Sequence, residues 1–204
     1  MVALRAREKQ FRIFEEHFGG VLGPELRVLD LGSTPDESLP DSNLFARLLQ
    51  GKVRLTLCSP EDCSELAKKM GASFLTQEEW SFGKHQFDLV ISIAVLEHCG
   101  SFERQRAFVE GAERSGKYYF VTTPYRWFPV EYHTFLPLLH WLPKRLHRWV
   151  LARVFRDSFW SKEENLNLLG GHDAETLFRA PFAHLYTHLL GLRANQLFVR
   201  SPKT

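Results

Sequence analysis

The sequence predicts a doubly wound α/β fold: a mostly parallel seven-stranded sheet that ends in an antiparallel hairpin and carries a helical lid insertion. Three observations carry this. Short Val/Leu/Ile-rich runs alternate with helically periodic segments at least four times, which requires right-handed crossovers and a sheet covered on both faces. The run 26–31 leads through Asp30 and Gly32 into Ser33-Thr34-Pro35, as a buried parallel strand opens into a ligand-holding loop. Near the C-terminus two extended stretches, 184–190 and 196–200, flank Gly191-Leu192-Arg193-Ala194-Asn195, which reads as a hairpin rather than a crossover.

The elements follow in order. Residues 4–18 set Phe11, Phe14 and Phe18 on one helical face and stop at Gly19-Gly20. The first strand is followed by a Pro- and Asp-rich loop to 41 and a short helix, 42–50. The second strand is 53–58. Ser59-Pro60-Glu61 then reads as an N-cap, a proline at the first helical position and a dipole-favoured acid, opening a helix to Lys69 that Gly71 stops. A weak third strand, 72–75, leads into a loop, 76–80. Phe87–Ile93 is the strongest strand pattern in the chain, and a helix over 102–114 and a fifth strand over 118–123, closed by Pro124, complete the alternation.

Length and composition bound the rest. At 204 residues the chain suits a single domain, 1–204, with its N-terminal helix in 1–20 and an insertion over 125–170. The 44% apolar and 25% charged content is that of a soluble globular protein, and a net charge of +2 on scattered residues does not favour nucleic acid. Cys58, Cys63 and Cys99 are odd in number and form no Cys-x-x-Cys pair. With nothing like a signal peptide in Met1-Val2-Ala3-Leu4-Arg5, a reducing cytoplasm is the expected location. No run of about 18 apolar residues exists to span a membrane. No His/Cys/Asp/Glu grouping has metal-ligand spacing along the chain, so no metal is expected.

Val28-Leu29-Asp30-Leu31-Gly32, the acids after strand two, and above all Phe87-Asp88-Leu89-Val90-Ile91-Ser92-Ile93-Ala94-Val95-Leu96-Glu97-His98 resemble the class I S-adenosylmethionine-dependent methyltransferases. The resemblance covers roughly residues 20–200 and implies a Rossmann-like fold with S-adenosylmethionine as cofactor. It implies cofactor contacts from Asp30, Gly32, Ser33 and Thr34 in the first loop, and from Ser59 and Glu61 after strand two. Gln77 or Glu78 would face the adenine amino group, Trp80 would pack against the base, and Ser92 and Ile93 would close the site from strand four. The chain departs from the family pattern in its first loop, where Pro35 and a single Gly32 leave few backbone donors, so the Ser33 and Thr34 hydroxyls would stand in. It departs again after strand two, where Cys58-Ser59-Pro60 precede the first acid. The absence of Gly-x-Gly-x-x-Gly argues against a dehydrogenase.

The segment 123–133 leaves strand five over the same pocket mouth and resembles a Pro-x-Glu-x-His pattern in a bacterial branch of these methyltransferases. His133 titrates near neutral pH and would serve as base with Glu131 orienting it; alternatively Glu131 caps the next helix and His133 packs under Trp127. Glu97 reads as a dipole partner at a helix start, and His98 is open between pocket and helix. Pro143 splits 135–153 into two helical pieces, the second with Leu146, Trp149, Val150 and Arg153 at helical spacing among Lys144, Arg145 and Arg148. That is a lid over an apolar or lipid-linked acceptor, or a peripheral membrane contact through 135–155. The stretch 159–165 reads as a capped helix start belonging to the same cover. The expected reaction is methyl transfer to oxygen of a small or lipid-/glycan-linked acceptor; the alternative is a catalytically silent methyltransferase-like fold used for binding or assembly.

Overall fold

The continuous apolar runs become the inner strands of one sheet. The computed structural model describes residues 2–82, 86–156 and 159–203. Strands β1 (Arg27–Leu31), β2 (Arg54–Ser59), β3 (Ser73–Thr76), β4 (Phe87–Ile93), β5 (Gly116–Pro124), β6 (Ala183–Leu189) and β7 (Leu192–Arg200) lie in the order β3-β2-β1-β4-β5-β7-β6. The first five are parallel, and β7 runs antiparallel between β5 and β6. β1 pairs with β2 on one side and β4 on the other, so the winding reverses there. The carboxyl ends of β1 and β4 are therefore where a crevice must open. This is the expected α/β architecture.

Aromatic burial fixes one face. Helix α1 (Val2–Phe18) drives Phe11, Phe14 and Phe18 against Phe45 of α2 (Leu44–Leu49) and Phe120 of β5. The Phe14 and Phe120 rings meet edge to face at 5.4 Å and 88°. Phe14 and Phe18 are fully buried, and each such ring contributes roughly 1.5–3 kcal/mol. α3 (Ser64–Met70) completes this layer and ends at Gly71, whose φ of 65° closes it in the left-handed region. The opposite face is covered by α5 (Phe102–Ser115), capped by Ser101, together with α7 (Gly171–Glu175) and Phe178.

Five local expectations give way to stronger interactions. β2 continues through Ser59, which pairs with Thr76, and the Ser59 hydroxyl takes the Glu61 N–H in a turn, so α3 starts at Ser64 rather than at Pro60. The segment expected as a loop over 76–80 is α4 (Gln77–Phe82), nucleated by a reciprocal cap: Thr76 Oγ1 accepts the Glu79 N–H while Glu79 Oε2 accepts the Thr76 N–H. The hairpin loop is two residues, Leu190 and Gly191, both at positive φ, rather than five, because Ala194 and Asn195 are buried in β7. Among its described residues the insertion holds one helix, α6 (Lys144–Arg153), preceded by a 3-10 turn at Leu139–Trp141 and a Val130–Pro137 bridge; Pro137 and Pro143 deny the first piece its backbone donors. Residues 159–165 form turns rather than a helix, and 157–158 of the expected lid lie outside the described residues. α6 buries Leu151 and leaves Leu146 and Trp149 exposed at 45% and 57%, so the expected apolar stripe faces outward. Among the described residues no helix is long and apolar enough to cross a membrane.

Candidate functional site

Two chambers open at the carboxyl ends of the strands and meet at Gly32. The larger, about 630 Å³, is lined by Gly32, Ser59, Gln77, Trp80, Val95 and His98 among others, a volume within the range of small-molecule sites. Trp80 forms part of its wall and is fixed by its Nε1–H donating to Ser115 Oγ at 2.9 Å. Cys58 and Cys99 also line it, and burial pushes both thiols up to about 12, so they are inert apolar surface. The smaller chamber, about 280 Å³, holds Arg7, Asp30, Thr34, Asp41, Asn43 and Ile93. Gly32, at φ +102°, borders both, and a Cβ there would lie 2.2 Å from Val95 Cγ2. Val95 therefore stands at the join.

Asp30 is buried, and this burial pushes its carboxyl up to about 6, although the Ser33 hydrogen bond and the Arg7 charge pull it partly back. Ser33 Oγ donates to Asp30 Oδ2 at 3.0 Å. The N–H groups of Gly32 and Ser33 both donate to the Cys58 carbonyl, at 2.8 and 3.1 Å. The first loop thus spends its amides on the sheet. Thr34 is clamped by Asn43, whose Oδ1 accepts the Thr34 N–H and whose Nδ2 donates to the Thr34 carbonyl. The basic group of this chamber is Arg7 of α1, with Nε on Asp41 at 3.0 Å and a guanidinium N–H reaching the Ile93 carbonyl.

Beyond β4 and β5, two loops bring three residues together. Glu97 and His98 lie on a 3-10 turn, Leu96–His98, just beyond β4, and His133 lies beyond β5. Glu131 is buried and accepts from the backbone N–H and Nδ1 of His133 and from the N–H and hydroxyl of Thr134. Burial works against its charge, but these donors prevail and hold its carboxyl at about 2. Burial likewise disfavours the His133 cation; the Glu131 bond and the Glu97 and Glu131 charges outweigh it, raising His133 above the usual histidine range. The rings of His98 and His133 stand perpendicular, with their Nε2 atoms 3.2 Å apart, and Trp160 packs on His133 at 4.7 Å.

The sequence-expected residues therefore divide. Asp30, Thr34 and Ile93 fall in the small chamber, Ser59, Gln77 and His98 in the large one, and Gly32 in both. Glu61 and Glu78 are exposed and outside both linings, because the turn after β2 and the start of α4 carry them outward. The Ser33 hydroxyl is committed to Asp30, and Ser92 is fully buried within β4 and lines neither chamber. Glu131 caps a turn rather than a helix, and His133 packs on Trp160 rather than under Trp127. Sequence reasoning missed Arg7, Asn43 and Asn165; Arg7 is one of four cations on α1, with Arg5, Lys9 and Arg12, and nothing in the sequence sets it apart.

This sheet order with its crevice is the fold of the S-adenosylmethionine-dependent class I methyltransferases. The chain is similar to the N-methyltransferase NodS from Bradyrhizobium japonicum WM9, bound to S-adenosyl-L-homocysteine, at TM-score 0.55 and 12% identity over 96% of this chain and 87% of that one. It is similar to the magnesium protoporphyrin IX methyltransferase ChlM from Synechocystis PCC 6803 at TM-score 0.56 and 14% identity, over 98% and 86%. A Rhodobacter sphaeroides structure named for Zn-dependent alcohol dehydrogenases superposes at TM-score 0.61 and 13% identity, over 92% and 86%. Likeness at these identities fixes the fold, and chemistry must be argued from the site. No protein-family model and no curated protein matches the chain.

Proposed function

We propose that this chain, acting as a single domain over 1–204, is a cytoplasmic S-adenosylmethionine-dependent methyltransferase that acts on an oxygen of a small or lipid-/glycan-linked acceptor. One observation carries the reading: the paired chambers suit an adenosyl amino acid. The large one has room and an indole wall for a nucleoside, and the small one sets the Asp30 carboxylate and Arg7 guanidinium where an amino-acid zwitterion needs opposite charges. When bound, the cofactor supplies a methyl group on an electrophilic sulfonium. Asp30 and Arg7 would hold its amino-acid end, Gln77 and Trp80 its base, and Ser59 its sugar. The chain's remaining task is to align the acceptor, exclude water and take one proton. The His98–His133 pair, ordered by Glu131, is the group able to accept that proton at Nε2. The outward face of 135–155 would meet an anionic lipid surface.

Val95 packed on Gly32 favours a second reading, a catalytically silent module, since the glycine then serves packing rather than ligand approach. Calorimetry with S-adenosylmethionine and S-adenosylhomocysteine separates the two. One-to-one binding supports the enzyme, and no heat up to about 1 mM, an affinity near −4 kcal/mol, leaves the silent module. His133→Ala should keep cofactor binding and lose turnover.

A further inference from the structure

We propose that Glu97, His98 and His133 form a binding site for a divalent transition-metal ion with an open coordination position facing the large chamber. The argument starts from three acceptor atoms with no donor among them. His98 Nδ1 lies 2.6 Å from the Asn165 carbonyl, so that nitrogen carries the hydrogen and Nε2 keeps its lone pair. His133 Nδ1 lies 2.6 Å from Glu131 Oε1, which fixes the same tautomer. In the neutral rings the two Nε2 lone pairs face each other at 3.2 Å, and a cation there, whether proton or metal ion, is what the Glu97 and Glu131 charges favour. Glu97 is fully buried; its Oε2 accepts from the Thr123 hydroxyl at 2.9 Å, while Oε1 has no hydrogen-bond partner and lies 3.9 Å from His98 Nε2. All three ligand atoms fall within 4.8 Å of one another. Lone pairs so placed repel unless a proton or a cation sits among them.

A cation satisfies all three at once, whereas a proton shared between the imidazoles leaves Glu97 Oε1 unpartnered. Bonds of about 2.0–2.1 Å to a tetrahedral ion place ligands roughly 3.3 Å apart. The imidazole spacing already matches, and Glu97 has to move inward by about an ångström. Each ligand is held from behind, His133 by Glu131, His98 by the Asn165 carbonyl and Glu97 by Thr123, which is the outer support that metal ligands need. Two imidazoles and one carboxylate select zinc-like ions over magnesium or calcium, which prefer oxygen. Three protein ligands leave a position free, and His98 lines the chamber into which it opens. A hydroxyl bound there would release its proton to water as the ion's charge stabilises the oxyanion; in the metal-loaded protein the two Nε2 atoms are ligands and do not take that proton. The expectation of no metal rested on spacing along the chain; Glu97 and His98 meet His133 only after the fold joins the exits of β4 and β5.

The site stands independently of the methyl-transfer reading. Full-length protein stripped with chelator should bind one equivalent of Co²⁺ with visible absorption free of thiolate charge-transfer bands, and Zn²⁺ should displace it. His98→Asn and His133→Asn should each weaken Co²⁺ binding at least about 100-fold, and the isosteric Glu97→Gln at least about 10-fold. Glu131→Gln should weaken it about 10-fold by loosening His133. The proposal is overturned if wild-type protein takes up no stoichiometric Co²⁺ or Zn²⁺, or if uptake persists unchanged in folded His98→Asn and His133→Asn. The wild-type titration decides even if a variant fails to fold. Calorimetry with S-adenosylhomocysteine on the same sample reports separately on the cofactor reading.

Discussion

A methyl group of Val95 occupies the space that a side chain at Gly32 would need, 2.2 Å from where its Cβ would stand. This contact joins the exits of β1 and β4 and divides the crevice. Gly32→Ala must therefore strain a backbone at φ +102° and clash with Val95 together. The cost should reach about 2–5 kcal/mol, from roughly 1–2 for the backbone and 1–3 for overpacking. Val95→Ala should relieve only the steric part, so urea melts of the four-member cycle should give a coupling of about 1–3 kcal/mol. Val95→Ala alone should bind S-adenosylhomocysteine at least as tightly as wild type. Weaker binding would mean that no ligand passes this join.

Asp30 couples stability to pH in the direction opposite to an ordinary surface acid. Its folded-state value, about 6, lies above the 3.8 of a free carboxyl. The folded state therefore holds the proton more tightly, and the contribution of Asp30 to stability is greatest below pH 4. About 3 kcal/mol is lost as pH rises through 6, when the buried carboxyl ionises. Asp30→Asn should abolish this loss and melt higher than wild type at pH 7.5. It should also weaken S-adenosylhomocysteine binding by at least about tenfold, because a charge-assisted partner is gone. Wild-type affinity should rise with pH through 6. A stabilised Asp30→Asn that binds as well as wild type would remove Asp30 from the site.

The strands were legible because fully buried parallel strands must be continuous Val/Leu/Ile runs, and Val28–Leu31 and Leu89–Ile93 have no other reading. The cap at α4 was also written in the sequence, as Thr76-x-x-Glu79, but a weak strand before it masked the signal. Other features could not be read. Ser59 suits a helix cap or a turn equally, and its pairing with Thr76 in the sheet decided the outcome. The Arg7–Asp30 chamber and the meeting of His98 with His133 join residues distant in sequence, and no local pattern encodes such contacts.

Glu131 is the fixed point of the loop that follows β5. It satisfies four donors on His133 and Thr134 while remaining buried. Glu131→Ala strands those donors, and urea denaturation should show a loss of about 2–4 kcal/mol. Glu131→Gln keeps one acceptor and should lose roughly half as much. Cofactor affinity should be unchanged in both. Equal stability in wild type and Glu131→Ala would show that the loop does not depend on this carboxylate.

The outward apolar face of the insertion makes the last prediction. Trp149 and Leu146 of α6 are 57% and 45% exposed, Phe135 is 76% exposed, and Arg145 and Arg153 lie exposed on the same helix. An aromatic-bearing helix with exposed cations matches the chemistry of an anionic bilayer surface. Full-length protein should sediment with vesicles containing phosphatidylserine and release as salt rises. Leu146→Ser/Trp149→Ser should lower the affinity roughly 10–100-fold through lost apolar burial, and Arg145→Glu should flatten the salt dependence. Leu190→Ser, at the 93% exposed tip of the β6–β7 hairpin, should change nothing. Sedimentation that is absent, or equal with neutral vesicles, would make this face a docking surface for something other than an anionic lipid.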